Sequence, residues 1–117
     1  MADAPANATP LEAITAGLQA AARQMQPRRE SLLQHAAVIA THPELREREL
    51  IRQASMSAAL ADTLRARGPA DPAATLAAEV SIVVMRVAFE RWISPANDRQ
   101  LEQLIAESLD QIETLAH

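Results

Sequence analysis

The sequence predicts an all-α protein: a single five-helix bundle whose last two helices form a four-helix interface with a second copy. Apolar residues make up 49% of the 117 residues but aromatic residues only 2%, so alanine and aliphatic side chains must fill the core. Such small side chains favour close helix–helix packing. Only two glycines are present, and proline or glycine separates the apolar segments, as is typical of successive helices. A chain of this length forms one domain.

Composition also excludes several classes of protein. The chain has no cysteine, so neither a disulfide nor a thiolate metal site is possible. The net charge is −4, and acids alternate with arginines, as in the ELRERE segment at 44–49; this chain alone is therefore a poor DNA binder. No apolar run reaches the roughly 18 residues that a membrane span needs, and the first ten residues lack the features of a signal peptide. We expect a cytoplasmic protein, and the lysine-free, arginine-rich composition is typical of a GC-rich bacterial genome.

The first two helices are delimited by clear local signals. Thr9-Pro10-Leu11-Glu12 is a capping box with proline at the first helical position, and we expect residues 1–8 before it to be disordered. Pro27 ends this helix, and a second helix follows from about Arg28 to Ala40. The inward stripes predicted from spacings of three and four are Leu11, Ile14, Leu18, Ala21 and Met25, then Leu32, Ala36 and Ile39.

Three further helices follow. The third runs from Pro43 to Arg67 with Gly68 as its stop, and its shared face is Leu50, Ala54, Ser57, Ala58, Ala61 and Leu64. The fourth has Asp71 as its cap and Pro72 at its first position, and it extends to about Trp92. The fifth is predicted from Asp98 to Leu115, with an apolar stripe of ordinary width for a bundle seam: Leu101, Leu104, Ile105, Leu109, Ile112 and Leu115.

The fourth helix is apolar around about two thirds of its circumference, apart from a polar stripe of Glu79, Arg86 and Glu90. Such a helix must be buried on two sides. The other four helices can cover one side, and a second copy of the chain would cover the other, giving a two-fold symmetric homodimer that buries about 2,000 Å2 or more. The alternative is a monomeric bundle with this helix at its centre. The predicted dimer-interface residues are Val80, Val84, Val87, Leu101, Leu104, Ile105, Leu109 and Ile112.

These segments together resemble the C-terminal regulatory domain of TetR-family transcriptional regulators, and are most similar to the subgroup that includes the mycofactocin-system regulator. The matching features are PELRER at 43–48, LADTLRARG at 60–68, Asp71-Pro72, and the small-residue fourth helix ending in Arg91-Trp92. The resemblance covers about residues 9 to 116. It implies a dimer through the last two helices and a small-molecule pocket between the earlier helices and the fourth.

The chain departs from the family in one respect. Family members begin with a helix-turn-helix segment that is followed by a tyrosine-rich sequence, and this chain has no tyrosine. We therefore expect residues 9–117 to form a regulatory domain without its DNA-binding half, either as an isolated domain or as a protein that has lost that half. Contact with DNA would occur only through a domain absent from this chain, so operator binding is assigned to none of its residues.

Seven residues are candidates for binding a small apolar or amphipathic effector: Met25, His35, Met56, Met85, Arg86, Phe89 and Trp92. Methionine and aromatic side chains suit an adaptable apolar cavity, but each is also an ordinary core residue. Arg86 would orient a polar group of the ligand, or else only form an ion pair with Glu90 along its helix. His35 would add a polar contact, or be solvated or satisfied within the core. We expect the indole N–H of Trp92 to have a hydrogen-bond partner.

No residue pattern indicates catalysis or a cofactor. A nucleophile elbow, a phosphate-binding glycine loop and an inward carboxylate pair are all missing, and His35 and His42 lack further ligands at metal-binding spacing. The arginines and glutamates of 44–52 are interpreted as a solvated face, with a relay of ligand occupancy as the alternative. The sequence thus predicts a non-enzymatic effector-binding and dimerisation domain of a TetR-like regulator. The alternative is a free-standing helical protein that pairs with a full-length regulator.

Overall fold

The computed structural model describes residues 9–116. Over this range the chain forms five α-helices and one short 3-10 turn, without a strand, and the predicted all-α fold is confirmed. Residues 1–8, where disorder is predicted, and His117 lie outside the described range. The helices are α1 (Pro10–Met25), α2 (Arg29–Thr41), α3 (Pro43–Arg67), α4 (Ala73–Trp92) and α5 (Leu101–Ala116), and the 3-10 turn is Gln26–Arg28.

Local signals set most of the helix ends. The Thr9 hydroxyl accepts a hydrogen bond from the Glu12 amide at 3.1 Å, and the Glu12 carboxylate accepts one from the Thr9 amide at 2.9 Å. The predicted capping box is therefore present. At the other end of the α1–α3 region, Gly68 ends α3 with a φ of 133°, a conformation that side chains with a Cβ rarely adopt.

Two helix starts differ in detail from the prediction. The Asp71 carboxylate accepts hydrogen bonds from the amide and hydroxyl of Thr75 at 3.2 and 2.7 Å, so it caps the first turn although α4 begins at Ala73. Helix α5 begins at Leu101 rather than Asp98. The reason is a tight turn before it, in which the Asn97 side chain accepts the Arg99 amide at 3.1 Å and donates to the Trp92 carbonyl at 3.0 Å.

Helix α4 lies at the centre of the core and joins two clusters of buried side chains. Towards α1 and α3 it packs through small residues, and towards α5 through Val84, Ala88 and Trp92. The first cluster consists of Ile14, Ala61, Leu64, Ala74 and Ala78. The second consists of Ala22, Val84, Ala88, Trp92, Leu101, Leu104 and Ile105. Helices α1, α3 and α5 thus surround α4, and α2 packs on α3.

The predicted inward face of α3 is only half correct. Ser57, Ala61 and Leu64 are buried, whereas Leu50 is 66% exposed and Ala54 and Ala58 are also exposed. The buried residues lie in the second half of α3, where Ala61 and Leu64 pack against Ala74 and Ala78 of α4. A stripe that is continuous in sequence is therefore covered only where a neighbouring helix reaches it.

The capping box predicts a specific loss of stability. Thr9→Ala leaves the Glu12 amide without its side-chain partner and should lower the free energy of unfolding by about 1 kcal/mol, measured by urea denaturation at fixed protein concentration. Thr63→Ala is the matched control, because Thr63 is exposed within α3 and bonds only the Ala59 carbonyl of its own helix. An equal loss in both variants would contradict a capping role for Thr9.

Candidate functional site

A cleft of about 950 Å3 lies between α1, α2, α3 and α4. Its apolar surface comes mainly from residues of α1, α2 and α4 that repeat every three or four positions. They are Ile14, Leu18, Met25, Leu32, Ala36, Ile39, Ile82, Met85, Phe89 and Ile93. Several of these side chains also pack against the buried clusters, so the core itself forms the floor of the cleft.

Six of the seven predicted effector-binding residues line this cleft: Met25, His35, Met56, Met85, Arg86 and Phe89. They come from four different helices and are separated by up to 64 positions in sequence, from residue 25 to residue 89. The structure therefore brings them together around one space. Their binding of a ligand stays a prediction.

Trp92 lies elsewhere. Its side chain is fully buried in the cluster formed with α5, and its ring meets that of Phe89 at a centroid distance of 5.8 Å. The expectation that its indole N–H has a hydrogen-bond partner is wrong for the described part of the chain. The apolar side chains of Leu101, Leu104 and Ile105 belong to the same cluster, and they offer no acceptor. Trp92 therefore does not line the cleft but packs against Phe89, which does.

Half of the charged side chains that line the cleft lie on α3. Arg46, Glu49 and Arg52 line it there. The Arg52 guanidinium donates to the Glu49 carboxylate through Nε at 2.9 Å and through Nη2 at 2.5 Å, and its Nη1 lies 2.8 Å from the Met56 sulfur. The hydrogen bonds between Arg52 and Glu49 lower the pKa of Glu49 below its ordinary value and raise the pKa of Arg52 above its own. Both groups are therefore charged at neutral pH.

Three more charged side chains complete the lining: Arg28, Arg86 and Glu90. Arg86 and Glu90 approach to 3.9 Å one turn apart on α4, with side chains 47% and 65% exposed. This is the helical ion pair considered above as the alternative to a ligand contact, and such exposed pairs are weak. Glu79 does not join them, because its carboxylate accepts a hydrogen bond from Ser57 at 2.8 Å. The cleft thus holds four arginines against two glutamates.

Sequence reasoning missed the charged part of the cleft lining. The prediction of a solvated face for residues 44–52 agrees with the exposure of Arg46 and Arg52, but it does not include that these two residues and Glu49 line the cleft. A signal was present: the cleft-lining positions 46, 49, 53, 56 and 60 of α3 follow the spacing of one helical face. The same helical face carries the charged residues of the first turns and then Met56 and Leu60, so all of these residues face the cleft.

The amino-acid sequence also matches a known protein family. A family model described as the MftR C-terminal domain, of the TetR type, matches residues 8–116. The chain belongs to this family. No curated protein matches the chain. TetR-type C-terminal domains are in general regulatory domains that serve effector binding and dimerisation. They are a non-enzymatic type of domain. They are typically dimeric.

The predicted dimer-interface residues of this MftR-type domain fall into two groups. Val84, Leu101, Leu104 and Ile105 are less than 2% exposed and fill the core of the single chain, so they have almost no surface to offer a partner. Val80, Leu109 and Ile112 are half-buried against that core, and Val87 is 38% exposed. The most exposed apolar residues of α4 are Leu76 at 60%, Val83 at 42% and Val87. We call these three the outer row of α4.

Two further properties of the described residues bear on function. Between residues 9 and 116, no group of three or more histidine, aspartate or glutamate side chains is arranged to hold a metal ion. In the same range, every helix is too short or too polar to cross a membrane.

The Glu49–Arg52 pair predicts a pH-dependent effect on stability. Because the folded-state pKa of Glu49 is lowered, the pair contributes stability above the ordinary glutamate pKa of about 4.3 and loses it as the pH falls through the lowered value. Glu49→Gln should therefore lower the free energy of unfolding by about 0.5 kcal/mol at pH 7, and the difference from the native chain should shrink as the pH falls below the ordinary glutamate pKa, measured by urea denaturation.

Glu47→Gln provides the control for this measurement. Glu47 is an exposed neighbour on α3 that forms no ion pair with another residue of 9–116, so its substitution should change stability little at neutral or low pH. A difference for Glu49→Gln that persists unchanged at low pH would show that packing, rather than charge, is responsible.

Proposed function

We propose that this domain binds a small amphipathic effector in the cleft between α1 and α4 and forms a homodimer through α4 and α5. In this way it would control the DNA binding of an N-terminal domain. The observation that supports the proposal most directly is the cleft itself: its volume of about 950 Å3 lies within the range of small-molecule sites.

The chemistry of the lining favours an amphipathic ligand. The apolar part of the lining offers aliphatic side chains, Phe89 and three methionines, which adapt to ligands of different shape. The charged part of the lining offers four arginines and only two glutamates. Neither Arg28 nor Arg46 has an acidic side chain within ion-pair distance in the described chain, so both are available to a ligand. Acidic or strongly hydrogen-bond-accepting groups would be favoured at this part of the lining.

The regulation would operate through α4, because this helix contributes to both surfaces. Met85 and Phe89 line the cleft, while Val83 and Val87 of the outer row face solvent. A ligand that binds one arrangement of α4 better than another shifts the population towards that arrangement. In a dimer, that shift would change how the two chains are held relative to each other.

The outer row of α4 supports a dimer. Leu76, Val83 and Val87 are large apolar residues spaced seven and four apart, and they follow one side of the helix. Apolar surface of this kind gains free energy when water is removed from it. A second copy would bring an identical row, and a two-fold axis would place the two rows against each other.

The dimer can be tested with variants that leave the core intact. Val87→Glu and Val83→Glu place a carboxylate in the outer row, so each should convert the protein from about twice the 12.7 kDa chain mass to a single-chain mass, measured by light scattering at micromolar concentration. Leu50→Glu is the matched control, because Leu50 is even more exposed but lies on α3. It should leave the dimer unchanged.

A single-chain mass for the native protein would reject the homodimer. The outer row would then be available to a different chain, which is the case expected of a protein that pairs with a full-length regulator.

The cleft can be tested by filling it. Ala36 lines the cleft on α2, and Ala36→Phe should weaken binding of the amphipathic dye 1-anilinonaphthalene-8-sulfonate about tenfold or more, measured by fluorescence titration, because the new ring occupies apolar space. Ala37→Phe is the matched control, since Ala37 is exposed and does not line the cleft. Equal binding to both variants would place the dye, and by extension the effector site, elsewhere.

A further inference from the structure

The segment that joins α1 to α2 carries side chains with two different environments. Met25 and Arg28 line the cleft. Gln26 and Arg29 instead hydrogen-bond to the region where α4 ends and α5 begins. We propose that Gln26 and Arg29 are positioning residues that transmit occupancy of the cleft to the α4–α5 junction, defined as residues 92–101. The proposal rests on the effector-binding function proposed above and adds the route by which it acts.

Arg29 closes the end of α4. Its Nε donates to the Trp92 carbonyl at 3.0 Å and its Nη2 donates to the Ser94 carbonyl at 3.2 Å. The last carbonyls of a helix have no partner within that helix, and a positive charge beside them is favourable. Trp92 is the last residue of α4, so the guanidinium lies where both effects operate. The contact spans 63 positions in sequence, which makes it a tertiary restraint rather than a local cap.

Gln26 acts at the start of α5. Its side-chain carbonyl accepts a hydrogen bond from the Leu101 amide at 2.9 Å. Leu101 is the first residue of α5, and its side chain is fully buried. The first amides of a helix also lack intrahelical partners, and one that is shielded from water is costly to leave unpaired. Gln26 and Arg29 together therefore hold both helix ends that meet at the junction.

The coupling follows because the two residues that line the cleft are next in sequence to the two that contact the junction. Met25 and Arg28 each lie one residue before Gln26 and Arg29 within a continuous stretch of helix and 3-10 turn. Such backbone moves as a unit, so a ligand that restrains Met25 and Arg28 also restrains the side chains at the junction. Because binding free energies are reciprocal, a restrained junction must in turn strengthen ligand binding by the same factor.

Hydrogen exchange at the Leu101 amide tests the proposal, with 1-anilinonaphthalene-8-sulfonate as the probe. In the native protein, saturating probe should slow this exchange about fivefold or more, as measured by NMR. In Arg29→Gln the slowing should be lost. Arg29→Lys, which keeps the charge but not the two-carbonyl contact, should retain part of it. Arg23→Gln is the control: Arg23 also links α1 to α5, through Glu102 at 3.6 Å, but it holds no helix end.

A second arm needs no ligand. Ala36→Phe places a ring in the cleft permanently and should slow Leu101 exchange by itself, whereas Ala36→Phe combined with Arg29→Gln should not. If the probe fails to bind the native protein, the proposed effector site is contradicted, and the Ala36→Phe pair still decides the coupling. Unchanged exchange in Ala36→Phe, or equal slowing with and without Arg29 in either arm, overturns the proposal.

Discussion

The close approach of three helices to α4 is the constraint on which the rest of the structure depends. Helices α1, α3 and α5 all pack against it, and this requires small side chains on its buried side. The buried residues of α4 are Ala74, Ala78, Ser81, Val84, Ala88 and Trp92. Their spacing of three or four keeps them on one side of the helix. Larger residues there would force α1 and α3 apart and lose the packing of both clusters.

This arrangement gives α4 three surfaces with different roles. The small residues face the core. Met85 and Phe89 project into the cleft beside it, and the outer row of Leu76, Val83 and Val87 remains in contact with solvent. A rotation of α4 that changes the contacts of one surface must change the contacts of the other two, since all three lie on one rigid helix. The segment with Gln26 and Arg29 adds a second connection, from the cleft to the end of the same helix.

Local chemistry made much of this fold predictable. Three helix ends depend only on residues within a few positions of them: the capping box at Thr9, the proline at 43 and the glycine at 68. The sequence alone therefore predicts where these helix ends lie. The start of α5 was predicted three residues early because the turn there depends on Asn97 reaching back to the Trp92 carbonyl. Residue type, rather than periodicity, singled out Met25, Met56, Met85 and Phe89, which line the cleft, because large and adaptable side chains suit an apolar cavity.

Periodicity could not distinguish two apolar neighbours of the same helix. Val84 and Val87 are adjacent on the wheel and similar in chemistry, yet Val84 is 1% exposed and Val87 is 38% exposed. The difference depends on where α5 crosses α4, which is a property of the tertiary structure. For the same reason, periodicity predicts Leu101, Leu104 and Ile105 in a dimer interface, although these residues cover α4 within the single chain.

The arginines show the same limit for charged residues. Arg46 and Arg52 stand in a segment of alternating charge, which is typical of a solvated helix face, and they line a cleft only because α2 crosses α3 beside them. Arg28 and Arg29 are consecutive, yet one lines the cleft and the other closes the end of α4. A charge pattern indicates where solvent can reach, but the partner of each guanidinium is fixed by helices distant in sequence. The arginines proposed to act in binding and in coupling are therefore the ones that sequence patterns identify least well.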